Sequence, residues 1–123
     1  MAGRALPGAA EAVEALRRAG ERVVFLTNNS GPLVAGHVKA LADIGIACRP
    51  EDLVTSAQAA ASLLAEHSRV AVIGDEGIRE ALAARAIEEV DAADKPEAVI
   101  VGRTLKLLSL IHILQRWDPV GQE

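Results

Sequence analysis

The residues of this chain best suited to chemistry form one short polar run that directly follows an apolar segment, Val23 to Leu26. That segment has the length and composition of a buried strand. In open α/β sheets, ligands bind at the carboxyl ends of the strands. Hydroxyl, amide and backbone N–H groups at such an end suit an anion, and phosphate most of all. The candidate phosphate-binding residues are Thr27, Asn28, Asn29 and Ser30.

The same residue types also have an ordinary structural explanation. Threonine, asparagine and serine are common turn formers, so the run alone is compatible with a simple reversal of the chain. The histidines offer no alternative centre of chemistry. His37, His67 and His112 lie far apart, with no cysteine or carboxylate at the spacing of a zinc site.

The elements that must position the polar run alternate between helix and strand. Apolar residues recur at helical spacing over 7–19, 34–45 and 57–66, and again through Ile78, Ala81 and Leu82. Short apolar runs at 23–26, 53–55, 70–73, 87–90 and 98–101 have the length of strands. Gly20 and Gly45 are expected to end the first two helices, and Ser56 to cap the third. The alternation predicts an α/β fold with a mostly parallel sheet, in which Val23 to Leu26 is buried on both faces.

Composition narrows the class of protein. The chain has 123 residues, of which 50% are hydrophobic and 24% charged, and its net charge is −4. This acidic balance gives no electrostatic basis for binding nucleic acid or an anionic membrane surface. The single cysteine, Cys48, excludes an internal disulfide. No secretory signal opens the sequence, so we expect a cytoplasmic protein with no membrane partner.

The last twenty residues, 104–123, break the α/β pattern. The segment from Leu105 to Leu114 is apolar nearly throughout, yet it is far shorter than the roughly 20 residues that span a membrane. Leu108 to Ile113 also matches the translated end of a common sequencing adapter. We therefore treat 104–123 as an atypical tail and keep two explanations open, an artefactual reading frame and a genuine buried helix.

An ordered series of segments carries a family resemblance. These segments are Pro7 to Ala9, Val23 to Ser30, Leu41 to Ile46, Glu51 to Ala57, Val72 to Arg79 and Val99 to Gly102. Together they resemble the haloacid dehalogenase (HAD) superfamily, in its phosphoglycolate phosphatase and 4-nitrophenylphosphatase branch, over residues 3 to 103. The resemblance implies a fragment of a Rossmann-like parallel-sheet core in residues 1–66. The start of an inserted α/β cap domain follows in 67–103.

The resemblance also implies a reaction. In this family an aspartate on the first strand attacks phosphorus, a second aspartate acts as acid and base, and water hydrolyses the aspartyl-phosphate. Mg²⁺ and a lysine neutralise the phosphoryl oxygens. Thr27 matches the threonine or serine of the family's second motif, which makes it the expected catalytic residue of this chain. Asn28, Asn29 and Ser30 are then expected to contact the phosphorylated substrate.

Most of the family's motifs are missing here. No Asp-x-Asp-Gly is present, and neither the later lysine nor the metal-binding Gly-Asp-x-x-x-Asp element is found. Gly74-Asp75 does not replace that element, because Arg79 stands where its second carboxylate is needed. We therefore expect the Mg²⁺ ligands to lie outside this chain, and we interpret Gly74-Asp75 as a strand-to-helix turn.

Two functional hypotheses follow. The first is a fragment of a Mg²⁺-dependent phosphatase of small phosphate monoesters, inactive as this chain alone. The second is a non-catalytic α/β module that binds a phosphorylated ligand or a partner protein. In the parent fold the first strand lies beside Val23 to Leu26, and without it that edge would be open. An open apolar edge predicts self-association, as a homodimer or a larger assembly.

Overall fold

In a computed structural model of the chain, which describes residues 5–104, helices alternate with strands in two parallel sheets. The elements are α1 (Ala9–Arg18), β1 (Phe25–Thr27), α2 (Val34–Asp43), β2 (Leu53–Thr55), α3 (Ser56–Ser62), β3 (Arg69–Ile73), α4 (Glu76–Ala83), β4 (Glu88–Glu89) and β5 (Ala98–Val101). Within this range no helix has the length and apolar character needed to cross a membrane. The predicted α/β class with parallel strands is confirmed.

The strand order brings the ends of β1 and β2 together. β1 pairs with β2, with Leu26 opposite Val54 and Thr27 opposite Thr55. In the second sheet β3 lies between β4 and β5. Because β1 and β2 run parallel, their carboxyl ends meet at one edge, where β1 leads into the polar run and β2 leads into α3. The polar run therefore lies beside the start of α3.

The hydrophobic core lies between the second sheet and the helices α3 and α4. Ile78 and Leu82 of α4 are buried, with 1% and 2% of their surface exposed. Ala57 and Ala61 of α3 belong to the same cluster, and their small side chains allow the close approach of α3 to α4. The division of the chain after residue 66 stays a prediction. This division assigns α3 to residues 1–66, although α3 packs in the same hydrophobic core as the elements after residue 66.

β1 is more exposed than its composition suggests. The strand covers Phe25–Thr27, and Leu26 and Val24 are 79% and 45% exposed. The prediction of burial on both faces is therefore wrong for the described part of the chain. Within residues 5–104, β1 pairs with β2 alone, and the face that Leu26 shares with Val24 stays open. Apolar composition indicates that a strand can be buried, whereas the neighbouring elements decide whether it is.

The start of α3 differs from the prediction by one residue. Thr55, not Ser56, caps the helix: its hydroxyl accepts a hydrogen bond from the Gln58 N–H at 3.2 Å. The Gln58 side-chain oxygen accepts one from the Thr55 N–H at 2.8 Å, which completes a capping box. The Ser56 hydroxyl instead donates to the carbonyl of Asn28. The helix also ends at Ser62, earlier than the predicted residue 66.

This cap leads to a stability prediction. We expect Thr55→Ala to lower the free energy of unfolding by about 1–2 kcal/mol, because an amide at the helix start loses its acceptor. Thr55→Ser keeps the hydroxyl and should cost less. Ser56→Ala leaves the cap intact and loses only the exposed hydrogen bond to the Asn28 carbonyl, so it should cost less, about 0.5 kcal/mol. Urea unfolding followed by circular dichroism measures all three, and equal losses for Thr55→Ala and Ser56→Ala would contradict the assignment.

A buried carboxylate holds the amino ends of β1 and β2. Asp52, which is 6% exposed, accepts a hydrogen bond from Arg49 Nε at 2.8 Å, and Arg49 Nη2 lies 2.8 Å from the same oxygen, Oδ2. Arg22 Nη2 lies 3.5 Å from the other oxygen. The hydrogen bond from Arg49 lowers the pKa of Asp52 below its ordinary value. These contacts lie at the end of the first sheet opposite to the polar run.

Candidate functional site

The backbone of the polar run is fixed by the helices on either side of it. The Asn28 carbonyl accepts a hydrogen bond from the Ser56 hydroxyl, at the start of α3, at 3.0 Å. The Asn29 carbonyl lies 3.1 Å from His37 Nε2 of α2. Because a carbonyl oxygen can only accept, this ring nitrogen carries the hydrogen. The run is therefore held in one conformation rather than left as a free turn.

The Thr27 hydroxyl is held at the carboxyl end of β1. Its oxygen accepts a hydrogen bond from the Asn29 N–H at 3.1 Å. A hydroxyl has one hydrogen to donate, and for Thr27 no acceptor is found within residues 5–104. The side chain is half-buried, so a ligand can reach it. Thr27 thus presents a fixed donor at the edge where the parallel strands end.

The side-chain amide of Asn29 has a definite orientation. Its oxygen accepts hydrogen bonds from the Gly31 N–H at 3.2 Å and from Arg103 Nη1 at 3.1 Å. Both partners are donors, so the oxygen and not the nitrogen must face them. Nδ2 is then the free end, and the structure shows no acceptor for it in the range 5–104. Asn29, two positions after Thr27 in the sequence, therefore offers two more N–H donors.

Ser30 occupies a different position from its neighbours. It is 6% exposed, and its hydroxyl oxygen accepts a hydrogen bond from the Arg103 N–H at 3.0 Å. The carbonyl of Gly31 accepts another from the Gly77 N–H, at the start of α4, at 2.9 Å. These two bonds attach the polar run to the second sheet and its helix. Asn28, in contrast, is exposed to solvent.

Arg103 is the functional candidate that sequence reasoning did not single out. It follows β5 and is exposed, and its guanidinium forms no ion pair within the described range. An acidic group lies nearby as well. Asp75 Oδ2 and Asn29 Oδ1 both lie close to Gly31, since a Cβ atom added to this glycine would be 3.4 Å from each of them. The only signal for Arg103 in the sequence was a cation directly after a strand, which is too common to be informative.

A groove runs between the open edge of β1 and the helix α2. Its volume is about 260 Å³. The lining residues are Leu26, Thr27, His37, Ala40, Leu41, Ile44 and Leu53. Most of these side chains are apolar, and Thr27 and His37 supply its polar groups. A groove of this composition suits a packing partner better than an anion.

The described residues do not form a metal centre. Between residues 5 and 104, no group of three or more His, Cys, Asp or Glu side chains is arranged to hold a metal ion. Gly74 and Asp75 lie in the connection from β3 to α4, as the sequence predicted. At this edge of the sheet the described residues offer a ligand the hydrogen-bond donors of Thr27 and Asn29 and the positive charge of Arg103.

Comparison with known proteins gives a consistent family. The family model for haloacid dehalogenase-like hydrolases matches residues 1–88. D-glycerol 3-phosphate phosphatase of Mycobacterium tuberculosis is 37% identical over 102 residues. The crystal structure of a glycerol phosphate phosphatase from M. tuberculosis, in complex with magnesium, superposes with a TM-score of 0.77 at 31% identity. The p-nitrophenyl phosphatase of Archaeoglobus fulgidus superposes with a TM-score of 0.74 at 27% identity.

The coverage of these matches is unequal. The match to the D-glycerol 3-phosphate phosphatase covers 76% of this chain, the match to the glycerol phosphate phosphatase structure 85%, and the match to the p-nitrophenyl phosphatase 82%. The same three matches cover only 28%, 32% and 40% of the relatives' own chains. The chain therefore spans less than half the length of each of these relatives.

Proposed function

The chain belongs to the haloacid dehalogenase-like hydrolase family, and we propose that it is part of a phosphatase that hydrolyses a small phosphate monoester. The observation that carries this proposal is the Thr27 hydroxyl, which the Asn29 N–H holds at the end of a parallel strand. This donor lies at the carboxyl end of a strand, which is where open α/β sheets bind their ligands. The three relatives described above are phosphatases, which supports the same reaction class.

In this proposal the polar run binds the phosphoryl group. Thr27 donates its hydroxyl hydrogen to a phosphoryl oxygen, and Asn28 and Asn29 contact the same group. The buried Ser30 keeps the run in place. The transition state of phosphoryl transfer spreads negative charge over the equatorial oxygens, so donors that are already fixed stabilise it most.

The rest of the reaction is assigned to segments outside this chain. An aspartate carboxylate attacks phosphorus, the bond from phosphorus to the ester oxygen breaks, and the alcohol leaves with a proton. Water then hydrolyses the aspartyl-phosphate and releases inorganic phosphate. Mg²⁺ would neutralise the phosphoryl oxygens in the complete enzyme, which we place in the cytoplasm. We expect no hydrolysis of phosphate esters by the 123-residue chain alone.

The genomic DNA on both sides of the reading frame tests this assignment. An in-frame Asp-x-Asp-Gly segment upstream, and a cap sequence that continues past Gly102 in place of residues 105–123, would support a longer phosphatase. That protein should then hydrolyse phosphate monoesters when Mg²⁺ is added. No coding sequence upstream and a genuine stop after Glu123 would favour the non-catalytic module instead.

Binding of inorganic phosphate by the chain tests the site itself. We expect Thr27→Val to weaken phosphate binding about 10-fold to 100-fold, because a hydrogen bond to a charged group contributes about 1.5–3 kcal/mol. Thr27→Ser keeps the hydroxyl and should bind within a few-fold of the parent chain. Titration of the ¹⁵N-labelled chain with phosphate, followed by NMR, gives both affinities. Equal phosphate affinities for the valine and serine variants would show that the Thr27 hydroxyl does not bind phosphate.

A further inference from the structure

Arg103 holds the polar run from a distant part of the chain. It lies 74 positions after Asn29, yet its Nη1 is 3.1 Å from the Asn29 side-chain oxygen. Its backbone is fixed at both polar groups: the N–H donates to the Ser30 hydroxyl at 3.0 Å, and the carbonyl accepts from the Asp75 N–H at 3.2 Å. The guanidinium therefore reaches Asn29 from a rigid base.

This contact matters because it decides what the Asn29 amide can do. With Arg103 in place, Asn29 Oδ1 has two donors, and one of them is charged. A rotation of the amide by half a turn would face Nδ2 with both of those donors and leave their hydrogens without an acceptor. Hydrogen bonds from charged donors are about twice as strong as neutral ones, so Arg103 supplies the larger share of this preference.

We propose that Arg103 is a positioning residue of the phosphate site, which orients the Asn29 amide so that Nδ2 donates to the bound phosphate. The inference rests on the proposed function of the polar run. In this arrangement Asn29 stands between the phosphate and the guanidinium, and Arg103 acts through Asn29 rather than by direct contact. The positive charge behind the amide also polarises it, which strengthens its N–H groups as donors.

A purely structural tie between the polar run and β5 would give a different result. Such a tie would affect folding stability without affecting phosphate binding by a folded variant. A positioning role instead predicts that Arg103 affects phosphate binding by a folded variant, and that this effect depends on the presence of the Asn29 amide. A double-mutant cycle between the two residues separates these cases.

The experiment uses the ¹⁵N-labelled 123-residue chain and inorganic phosphate, with the side-chain amide signals of Asn29 as the probe. Arg103→Met keeps the length of the stem and removes the donors, and we expect it to weaken phosphate binding about fivefold to tenfold. Arg103→Lys restores a charged donor and should recover part of that loss. Arg18→Met, on the exposed face of α1, is the matched control and should bind phosphate like the parent chain.

In the Asn29→Ala background, Arg103→Met should cause no further loss of phosphate affinity. A loss of the same size in both backgrounds would overturn the proposal, because Arg103 would then act independently of Asn29. Full phosphate affinity in the folded Arg103→Met variant would overturn it as well. If phosphate moves no signal of the parent chain, the proposed function of the polar run fails. A shift of the Asn29 amide signals by Arg103→Met without phosphate would then mark a structural tie only.

Discussion

Replacing Gly77 with alanine is expected to destabilise the chain by about 3 kcal/mol or more, at the upper end of what overpacking of a core costs. A Cβ atom at this buried position would collide with the backbone carbonyls of Ser30 and Pro32 and would lie 3.0 Å from that of Gly31. The Gly77 N–H also donates to the Gly31 carbonyl. Because all three neighbours are backbone atoms, no side chain can rotate away to make room.

Gly36→Ala provides the matched control. Gly36 lies in α2, is exposed, and a Cβ atom there would be 3.4 Å from the Pro32 side chain. Alanine favours a helix by about 0.5–1 kcal/mol over glycine, so this variant should be as stable as the parent chain or more stable. Urea unfolding gives both free energies. Destabilisation of equal size in the two variants would mean that close approach at Gly77 is not the cause.

The loss at Gly77 should reach the candidate site as well. The start of α4 and the polar run are in direct backbone contact, so a displaced helix moves Ser30 and Gly31 together. We therefore expect the NMR spectrum of the Gly77→Ala variant, recorded under conditions where it remains folded, to show altered amide signals for Asn29.

The second large effect concerns association. We expect the 123-residue chain to self-associate through the open face of the first sheet, where Val24, Leu26 and Val54 are 45%, 79% and 37% exposed. Leu26→Lys should weaken this association about 10-fold to 100-fold, because burying a leucine contributes about 1.5–3 kcal/mol. A lysine on an edge strand also opposes pairing with another chain. Analytical ultracentrifugation over a range of concentrations measures the change.

Leu63→Lys separates this face from exposed apolar surface in general. Leu63 is 86% exposed and follows the last residue of α3, outside the first sheet. Its substitution should leave the association constant unchanged. A parent chain that stays monomeric at every concentration would refute the expectation. The same weakening by both lysines would place the contact elsewhere or make it unspecific.

Local signals in the sequence were sufficient for most of the fold. Gly20 and Gly45 were expected to end helices, and both have positive φ angles, 82° and 81°, two residues after the last residue of α1 and of α2. Such a conformation carries little strain for glycine, so its preference is visible without knowledge of the fold. The alternation of helical and strand patterns likewise gave the α/β class and the parallel pairing.

The position of the helix cap shows where local signals stop. Thr55 and Ser56 carry equivalent hydroxyls, and only the backbone conformation decides which of them faces the first turn of α3. Thr55 has extended φ and ψ angles because it still pairs with Thr27 in the sheet. The cap is thus set by strand pairing, which depends on residues far away in the sequence.

The sequence by itself determined the class of fold and the family resemblance, and it predicted Thr27 to Ser30 as the candidate site. It could do so because helix periodicity, turn residues and motif order are properties of neighbouring residues. The tertiary structure decided that Leu26 is exposed, that Ser30 is buried, and that Arg103 holds the amide of Asn29. Burial and contacts over 74 positions depend on how elements pack, and no local pattern encodes that packing.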